Sequence, residues 1–124
     1  MQDKPKIDTA IPQRRYQLGA YTVVVLGEIE SSDGKDYRYV AAVVREGDPE
    51  PGLYLAAERP TGSRPADTAY PADTAYDMRV IMHDGAQVIG NSSRWAGIEE
   101  FSSDALGMIA KVLDLQDEQP YRLM

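Results

Sequence analysis

The chain of 124 residues contains no cysteine and only one histidine, His83. Without cysteine it can form no disulfide and no thiolate metal site, and it has no Cys nucleophile and no thiol redox chemistry. Zinc sites are built mainly from Cys and His side chains, so a single histidine leaves too few ligands. The sequence therefore predicts no metal site.

Short catalytic and nucleotide-binding motifs are also missing. The chain has no G-x-S-x-G nucleophile motif, no G-x-x-x-x-G-K-S/T phosphate loop and no G-x-G-x-x-G dinucleotide loop. No segment matches the calcium loop of an EF-hand. We therefore predict no catalytic residue and no cofactor, and a non-enzymatic role is favoured over an enzymatic one.

Long apolar segments and an excess of positive charge are missing as well. Residues 1–15 contain no apolar stretch of the kind found in signal peptides, and no run approaches the length of a membrane span. A cytoplasmic protein without membrane contact is expected. The net charge of −7 argues against non-specific binding to nucleic acid or to anionic membranes.

Residues 21–45 hold the two most apolar runs of the chain and predict a long β-hairpin. Both runs are rich in Val, Ile, Thr and Tyr, which suit pleated strands. Asp33-Gly34 lies between them and is a strong hairpin signal, because a type I′ turn needs positive φ at both central residues. A turn at these two residues would pair Val25 with Ala42.

Both faces of this hairpin are apolar in the middle. An antiparallel sheet with one wet face would alternate apolar and polar residues, and residues 23–26 and 40–44 are continuous apolar runs. A single helix covers one face of a sheet at most. A symmetric homodimer is the simplest cover for the second face, and a further, unknown protein partner is expected.

The rest of the chain predicts further strands and one helix. Ser102 and Ser103 are candidate N-caps for a C-terminal helix with an apolar stripe that includes Leu106 and Ile109. The fold class is therefore α+β, an antiparallel meander of four or five strands followed by one long C-terminal helix packed on the sheet. The strands after the hairpin are expected at residues 53–58, 77–83 and 86–91.

The chain is short enough for a single domain, which we place at residues 16–116. Residues 1–15 are predicted to form a flexible arm, and residues 117–124 a C-terminal tail. A long mobile loop is expected at residues 61–76, where the sequence PADTAY occurs twice in succession. The duplication is interpreted as a tolerated insertion, with a docking segment as the alternative.

One candidate site combines aromatic and basic residues on the predicted sheet. Tyr37, Tyr39 and Arg45 would share one strand face, with Tyr54 and Arg79 on strands nearby. Aromatic rings beside cations can stack the bases of single-stranded nucleic acid. A meander sheet followed by a helix and used as a dimer also resembles, at the level of fold, the Whirly and PUR type of single-strand-binding domain.

A second candidate site lies where the last predicted strand leads into the helix. His83 could contribute acid–base chemistry, and Ser92, Ser93 and Arg94 could hold an anion, with Trp95 beside them. Such a site would need a pocket between sheet and helix. The same residue types also serve as local caps in strand-to-helix turns.

Three functional hypotheses follow from these features. The favoured one is a small non-enzymatic domain that acts by self-association and by binding a partner. The second is single-stranded nucleic-acid binding through the Tyr/Arg face. The third is binding or turnover of a small ligand in a pocket between sheet and helix.

Overall fold

The computed structural model describes residues 7–32, 37–58, 76–82, 85–115 and 117–123. These residues form seven strands, one 3₁₀ helix and one α-helix. In chain order the elements are β1 Ile7–Leu18, β2 Tyr21–Ser31, β3 Tyr37–Arg45, β4 Leu53–Glu58, β5 Tyr76–Met82, β6 Gly85–Ser92, the 3₁₀ helix Ser93–Ala96, α1 Ile98–Val112 and β7 Tyr121–Arg122.

All seven strands belong to one antiparallel sheet in the order β6-β5-β4-β3-β2-β1-β7. Strands β1 to β6 form a continuous meander, and β7 returns to pair with β1 on the far side. The α+β class with an antiparallel sheet and one α-helix is therefore confirmed. The predicted number of strands, four or five, was too low, because the described residues alone contribute seven strands to the sheet.

The additional strands lie at the two ends of the chain. Residues 7–15, which were expected in a flexible arm, belong to β1, and β1 turns into β2 through Gly19 and Ala20. Gly19 has a φ of 59°, in the left-handed region that a two-residue hairpin turn needs and that glycine tolerates best. The predicted C-terminal tail contributes β7, which pairs with β1 through only two residue pairs.

The pairing of β2 with β3 differs from the predicted register by one residue. Val25 pairs with Ala41 rather than with Ala42, and Tyr21 pairs with Arg45. The predicted turn at Asp33-Gly34 lies outside the described residues. A shift of one residue moves every side chain of a strand to the opposite face relative to its neighbour, so Val25 shares its face with Ala41.

The main core lies between one face of the sheet and α1. Phe101, Ala105 and Ile109 of the helix are fully buried against the sheet. The sheet residues of this core come from β1 to β5: Tyr16, Leu18, Val23, Val25, Tyr39, Ala41, Val43, Leu53, Leu55, Ala57, Tyr76, Met78 and Val80. Burial of this many apolar side chains is the main source of stability, at about 25 cal/mol for each Å² removed from water.

The centre of the second face of the sheet is also buried within one chain. Val40 and Ala56 have no exposed surface, and Ile81 is 1% exposed. They form a second apolar cluster with Tyr37, Ala42 and Tyr54. These side chains are already shielded from water in a single chain, so a homodimer, which was expected as the simplest cover, is not needed to bury them.

The helix begins earlier than predicted. α1 starts at Ile98 with Gly97 as its N-cap, and Gly97 has no side chain with which to cap it. Ser102 and Ser103, the predicted caps, lie inside the helix, where Ser102 is buried and Ser103 is exposed. The buried side chain of Phe101 anchors the first turn on the sheet, and this tertiary contact outweighs the capping preference of serine.

The predicted mobile loop lies outside the described residues except for its last residue, Tyr76. This tyrosine begins β5 and is buried in the main core. Both copies of PADTAY, apart from Tyr76, likewise fall outside the described part of the chain.

Candidate functional site

The aromatic and basic residues of the first candidate site do not share one face. The pairing of β3 with β4 shifts between Tyr37 and Tyr39, so a bulge at Arg38 interrupts the alternation of side chains. Tyr39 therefore joins the main core, and Tyr37 joins the second cluster on the other face. The predicted placement of both tyrosines on one face was wrong for this reason.

The rings of the three tyrosines are buried. Tyr37, Tyr39 and Tyr54 are 4%, 6% and 9% exposed. The Tyr39 ring stacks on Phe101 of α1, with 5.4 Å between ring centroids, and the Arg38 guanidinium lies 5.0 Å from its centroid. A base can stack only on an exposed ring face, so these side chains form core contacts rather than a stacking platform.

The two arginines of this site have different environments. Arg79 on β5 forms an ion pair with Glu58 on the neighbouring strand β4. The Glu58 carboxylate is almost completely buried, and among the described residues its Oε2 atom has no hydrogen-bond partner. Because a buried carboxylate without a cation is costly, Arg79 is needed to stabilise Glu58. Arg45 is exposed at the end of β3.

In the second candidate site, Ser92 and Arg94 already form hydrogen bonds within the fold. Ser92 caps the 3₁₀ helix, since its hydroxyl accepts a hydrogen bond of 3.1 Å from the backbone N–H of Arg94. The Arg94 guanidinium donates to both carboxylate oxygens of Asp104 on α1, at 3.2 and 3.3 Å. His83 lies outside the described residues, and the same is true of the side chain of Ser93.

Trp95 completes this contact between the 3₁₀ helix and α1. Its indole N–H donates to Asp104 at 2.8 Å. Its ring packs against the main core and crosses Gly90 of β6 so closely that a Cβ at residue 90 would lie 3.1 Å from it. The hydrogen bonds from Arg94 lower the pKa of Asp104 and the bond from Trp95 adds to this effect, against the opposing influence of burial.

A further ion pair holds β1 to the start of α1. Arg14 pairs with Glu99 in the first helical turn, and its guanidinium also donates to the Tyr16 hydroxyl at 3.3 Å. The bond from Arg14 lowers the pKa of Glu99. A carboxylate in this turn is also favoured by the helix dipole. Because Glu99 is well exposed, water screens the pair and limits its contribution to the stability of the fold.

A cavity does lie between sheet and helix, but it lies further along α1 than Asp104, the residue that Arg94 and Trp95 contact. It has a volume of about 380 Å³ and lies between the β5–β6 hairpin and the last turns of α1. We call it the β6 groove. Its lining is apolar except for one amide side chain and consists of Val80, Met82, Gly85, Ala86, Gln87, Ile89, Met108 and Val112.

A smaller cavity of about 210 Å³ lies next to the β6 groove and shares Met82 with it. Its lining includes Tyr21, Asp48 and Leu113, and it also includes Arg45 from the predicted aromatic–basic site. Both cavities border the C-terminal end of α1, through Met108, Val112 and Leu113. This arrangement leaves the helix end incompletely packed on the sheet.

The β6 groove borders an open strand. In the described part of the chain, β6 has a neighbouring strand on one side only, and its sequence, GAQVIGNS, contains no charged residue and no proline. We call its unpaired side the β6 edge. Four large apolar side chains beside it are exposed: Met82 at 40%, Val88 at 43%, Ile89 at 37% and Val112 at 37%.

Sequence reasoning found β6 as a strand but did not identify it as a surface. The available signal was the absence of charge and proline over residues 85–92, because natural edge strands usually carry such residues to prevent strand addition. The position of β6 at the edge could not be read from this signal, since it depends on the strand order.

Comparison with protein-family models, with curated proteins and with solved structures gave no match for this chain. The resemblance to Whirly and PUR type domains is not confirmed, and the sheet has more strands than that comparison assumed. Among the described residues, no three His, Asp or Glu side chains converge as metal ligands would. None of the helices formed by these residues has the length and apolar character that crossing a bilayer requires.

Proposed function

We propose that this chain is a non-enzymatic association domain that binds an extended, uncharged polypeptide strand at the β6 edge. The observation that carries the proposal is an edge strand without charge or proline that, among the described residues, has no neighbouring strand on its outer side and lies beside an apolar groove. Strand addition supplies affinity through backbone hydrogen bonds, and pockets beside the edge select the side chains of the added strand.

The chemistry of the surface determines which strand fits. Because β6 has no charged side chain, a charged strand would lose hydration there without gaining an ion pair. Val88 and Ile89 offer apolar contacts along the edge, and the β6 groove can accept the apolar side chains of an added strand. Met82 and Met108 line the groove, and methionine adapts readily to differently shaped partners.

Hydrogen exchange with a synthetic extended peptide of alternating threonine and valine tests the proposal. We expect the peptide to slow the exchange of β6 amides in the folded chain. Val88→Lys should weaken this effect, because an edge lysine opposes strand addition. Ile11→Lys is the matched control, since Ile11 is exposed to a similar extent but lies on β1 at the other side of the sheet.

Slower amide exchange confined to strands other than β6, or no binding of the peptide, would contradict the proposal. Single-stranded nucleic-acid binding is less well supported, because the tyrosines on which it depends are buried. If it occurs, it must use exposed groups such as Arg45 rather than the stacking of bases on Tyr37, Tyr39 or Tyr54.

A further inference from the structure

We infer that the strand bound at the β6 edge is the β6 strand of a second copy, so that two chains form one continuous antiparallel sheet about a two-fold axis near Val88. This inference rests on the proposed function and names the partner. In this dimer two sheet edges meet, and the second apolar face of the sheet takes no part in the contact.

The two edges of the sheet differ in the features that prevent strand addition. This difference favours a contact between two β6 edges over a contact between β6 and the opposite edge. The other side is formed by the two-residue strand β7 and by the part of β1 that β7 does not cover. That part of β1 carries Asp8 and Arg14 together with Pro12, which has no N–H to donate. Short edge strands, charges and proline are the features that prevent strand addition.

A head-to-tail contact would require β6 of one chain to pair with this protected side of another. A two-fold contact requires only that β6 pair with itself, and the residues of β6 suit this arrangement. Because the strand has no charge, β6 brings no like charges against each other at the contact, although the whole chain carries a net charge of −7. Two-fold contacts of this self-complementary kind are the commonest in homo-oligomers.

The geometry of the pair follows from antiparallel pairing about Val88. Val88 of each chain would lie opposite Val88 of the other, so these exposed apolar side chains meet at the axis, and Gln87 of each chain would lie opposite Ile89 of the other. The two α1 helices would lie on the same face of the joined sheet. The two β6 grooves, with the exposed side chains of Val112 and Met82, would then adjoin the junction and be partly filled from both sides.

The pairing of β6 with β5 shifts at Ile89. A bulge of this kind twists an edge and hinders a long added strand. In the pair about Val88, the bulge at Ile89 of each chain would lie opposite Gln87 of the other, so regular pairing is confined to the few residues next to the axis. The interface is therefore short, and we expect a dissociation constant in the micromolar rather than the nanomolar range.

Sedimentation equilibrium of the full chain tests the inference, from low to high micromolar concentration. We expect a reversible monomer–dimer equilibrium. Val88→Lys should raise the dissociation constant by about tenfold or more, because like charges face each other at the axis. Ile11→Lys should leave it unchanged. Since Val88 is well exposed, its variant should unfold at the same urea concentration as the unchanged chain.

A spin label gives a second, independent test. The chain has no cysteine, so Val88→Cys provides one attachment site for each chain. Labels at this site should show strong dipolar broadening in the dimer, and labels at Ile11→Cys should show none. Broadening that disappears on dilution with unlabelled chain would confirm that it arises between copies.

The outcomes separate the inference from the proposed function. A strictly monomeric chain whose β6 amides are protected by the threonine–valine peptide would overturn the inference and leave the proposed function standing. A dimer that is insensitive to Val88→Lys and shows no broadening at Val88→Cys would place the interface elsewhere and overturn the inference. A monomer that also fails to bind the peptide would overturn both.

Discussion

The ring of Tyr39 stacks on the ring of Phe101, with 5.4 Å between the two centroids and 29° between the planes. This pair joins the central strand β3 to the first turn of α1. It also explains why Tyr39 is unsuitable as a binding residue, because the ring is already used to attach the helix to the sheet.

Tyr39→Ala should therefore destabilise the fold, by about 3 kcal/mol or more, since it removes a large buried side chain and the aromatic contact together. Urea unfolding at neutral pH measures the change. Tyr121→Ala is the matched control, because Tyr121 is 68% exposed, and it should change the stability by less than about 0.5 kcal/mol. Equal effects of the two substitutions would contradict this assignment of Tyr39 to the core.

Arg79→Met should destabilise the chain by about 2 kcal/mol, because it leaves the buried carboxylate of Glu58 without its cation. The partial exposure of Arg79 makes this cost smaller than for a fully buried pair. The double substitution Glu58→Leu with Arg79→Met removes both charges and should recover most of the loss. A double-mutant cycle measured by urea unfolding gives the coupling energy, and strict additivity would contradict the role assigned to the pair.

Ser102→Ala should stabilise the chain by about 1 kcal/mol, because it removes a buried hydroxyl and improves helix propensity. Among the described residues, the Ser102 hydroxyl has no hydrogen-bond partner. Ser103→Ala gives the gain in helix propensity alone, since Ser103 is exposed on the same helix. The difference between the two thermal midpoints isolates the effect of burial. A larger gain at Ser103 would show that the Ser102 hydroxyl is satisfied.

Asp104 should contribute to stability in a pH-dependent way. Its pKa in the folded chain is lowered from the ordinary value of 3.8, first by the bonds from Arg94. A carboxylate of this kind stabilises the fold above its unfolded pKa, and the contribution is lost as the pH falls through the folded pKa. Asp104→Asn should therefore be less stable than the unchanged chain at neutral pH, and this difference should shrink below pH 3.8.

Urea midpoints across the acid range measure this effect. Asp117→Asn removes one exposed carboxylate from the C-terminal segment and serves as the control. It should shift the midpoints little at any pH. A difference between Asp104→Asn and the unchanged chain that stays constant with pH would contradict the role of ionised Asp104.

The elements with strong apolar patterns were predictable from the sequence, and those held by pairing alone were not. β2, β3 and α1 were found because their apolar runs are long. In β1, only Tyr16 and Leu18 are buried, so its first residues show no alternation that could indicate a strand. They are extended because the backbone of β2 lies beside them, and this is a tertiary effect.

The faces of the hairpin were not predictable for a related reason. A bulge at Arg38 and a register that differs by one residue each reverse the side to which a residue points. Tyr37 and Tyr39 are two residues apart in the sequence, and this spacing indicated neither the bulge nor the shifted register. In contrast, the apolar character of both faces did not depend on the register, and it agrees with the two buried clusters.

The protection of only one side of the sheet has a consequence for the size of any assembly. A subunit with two open edges can polymerise without limit, but a subunit with a single open edge is saturated by its first partner. Polymer growth would require the β1 side to lose Pro12 and its charged neighbours. In the proposed dimer, the placement of these residues would therefore end the assembly at two chains.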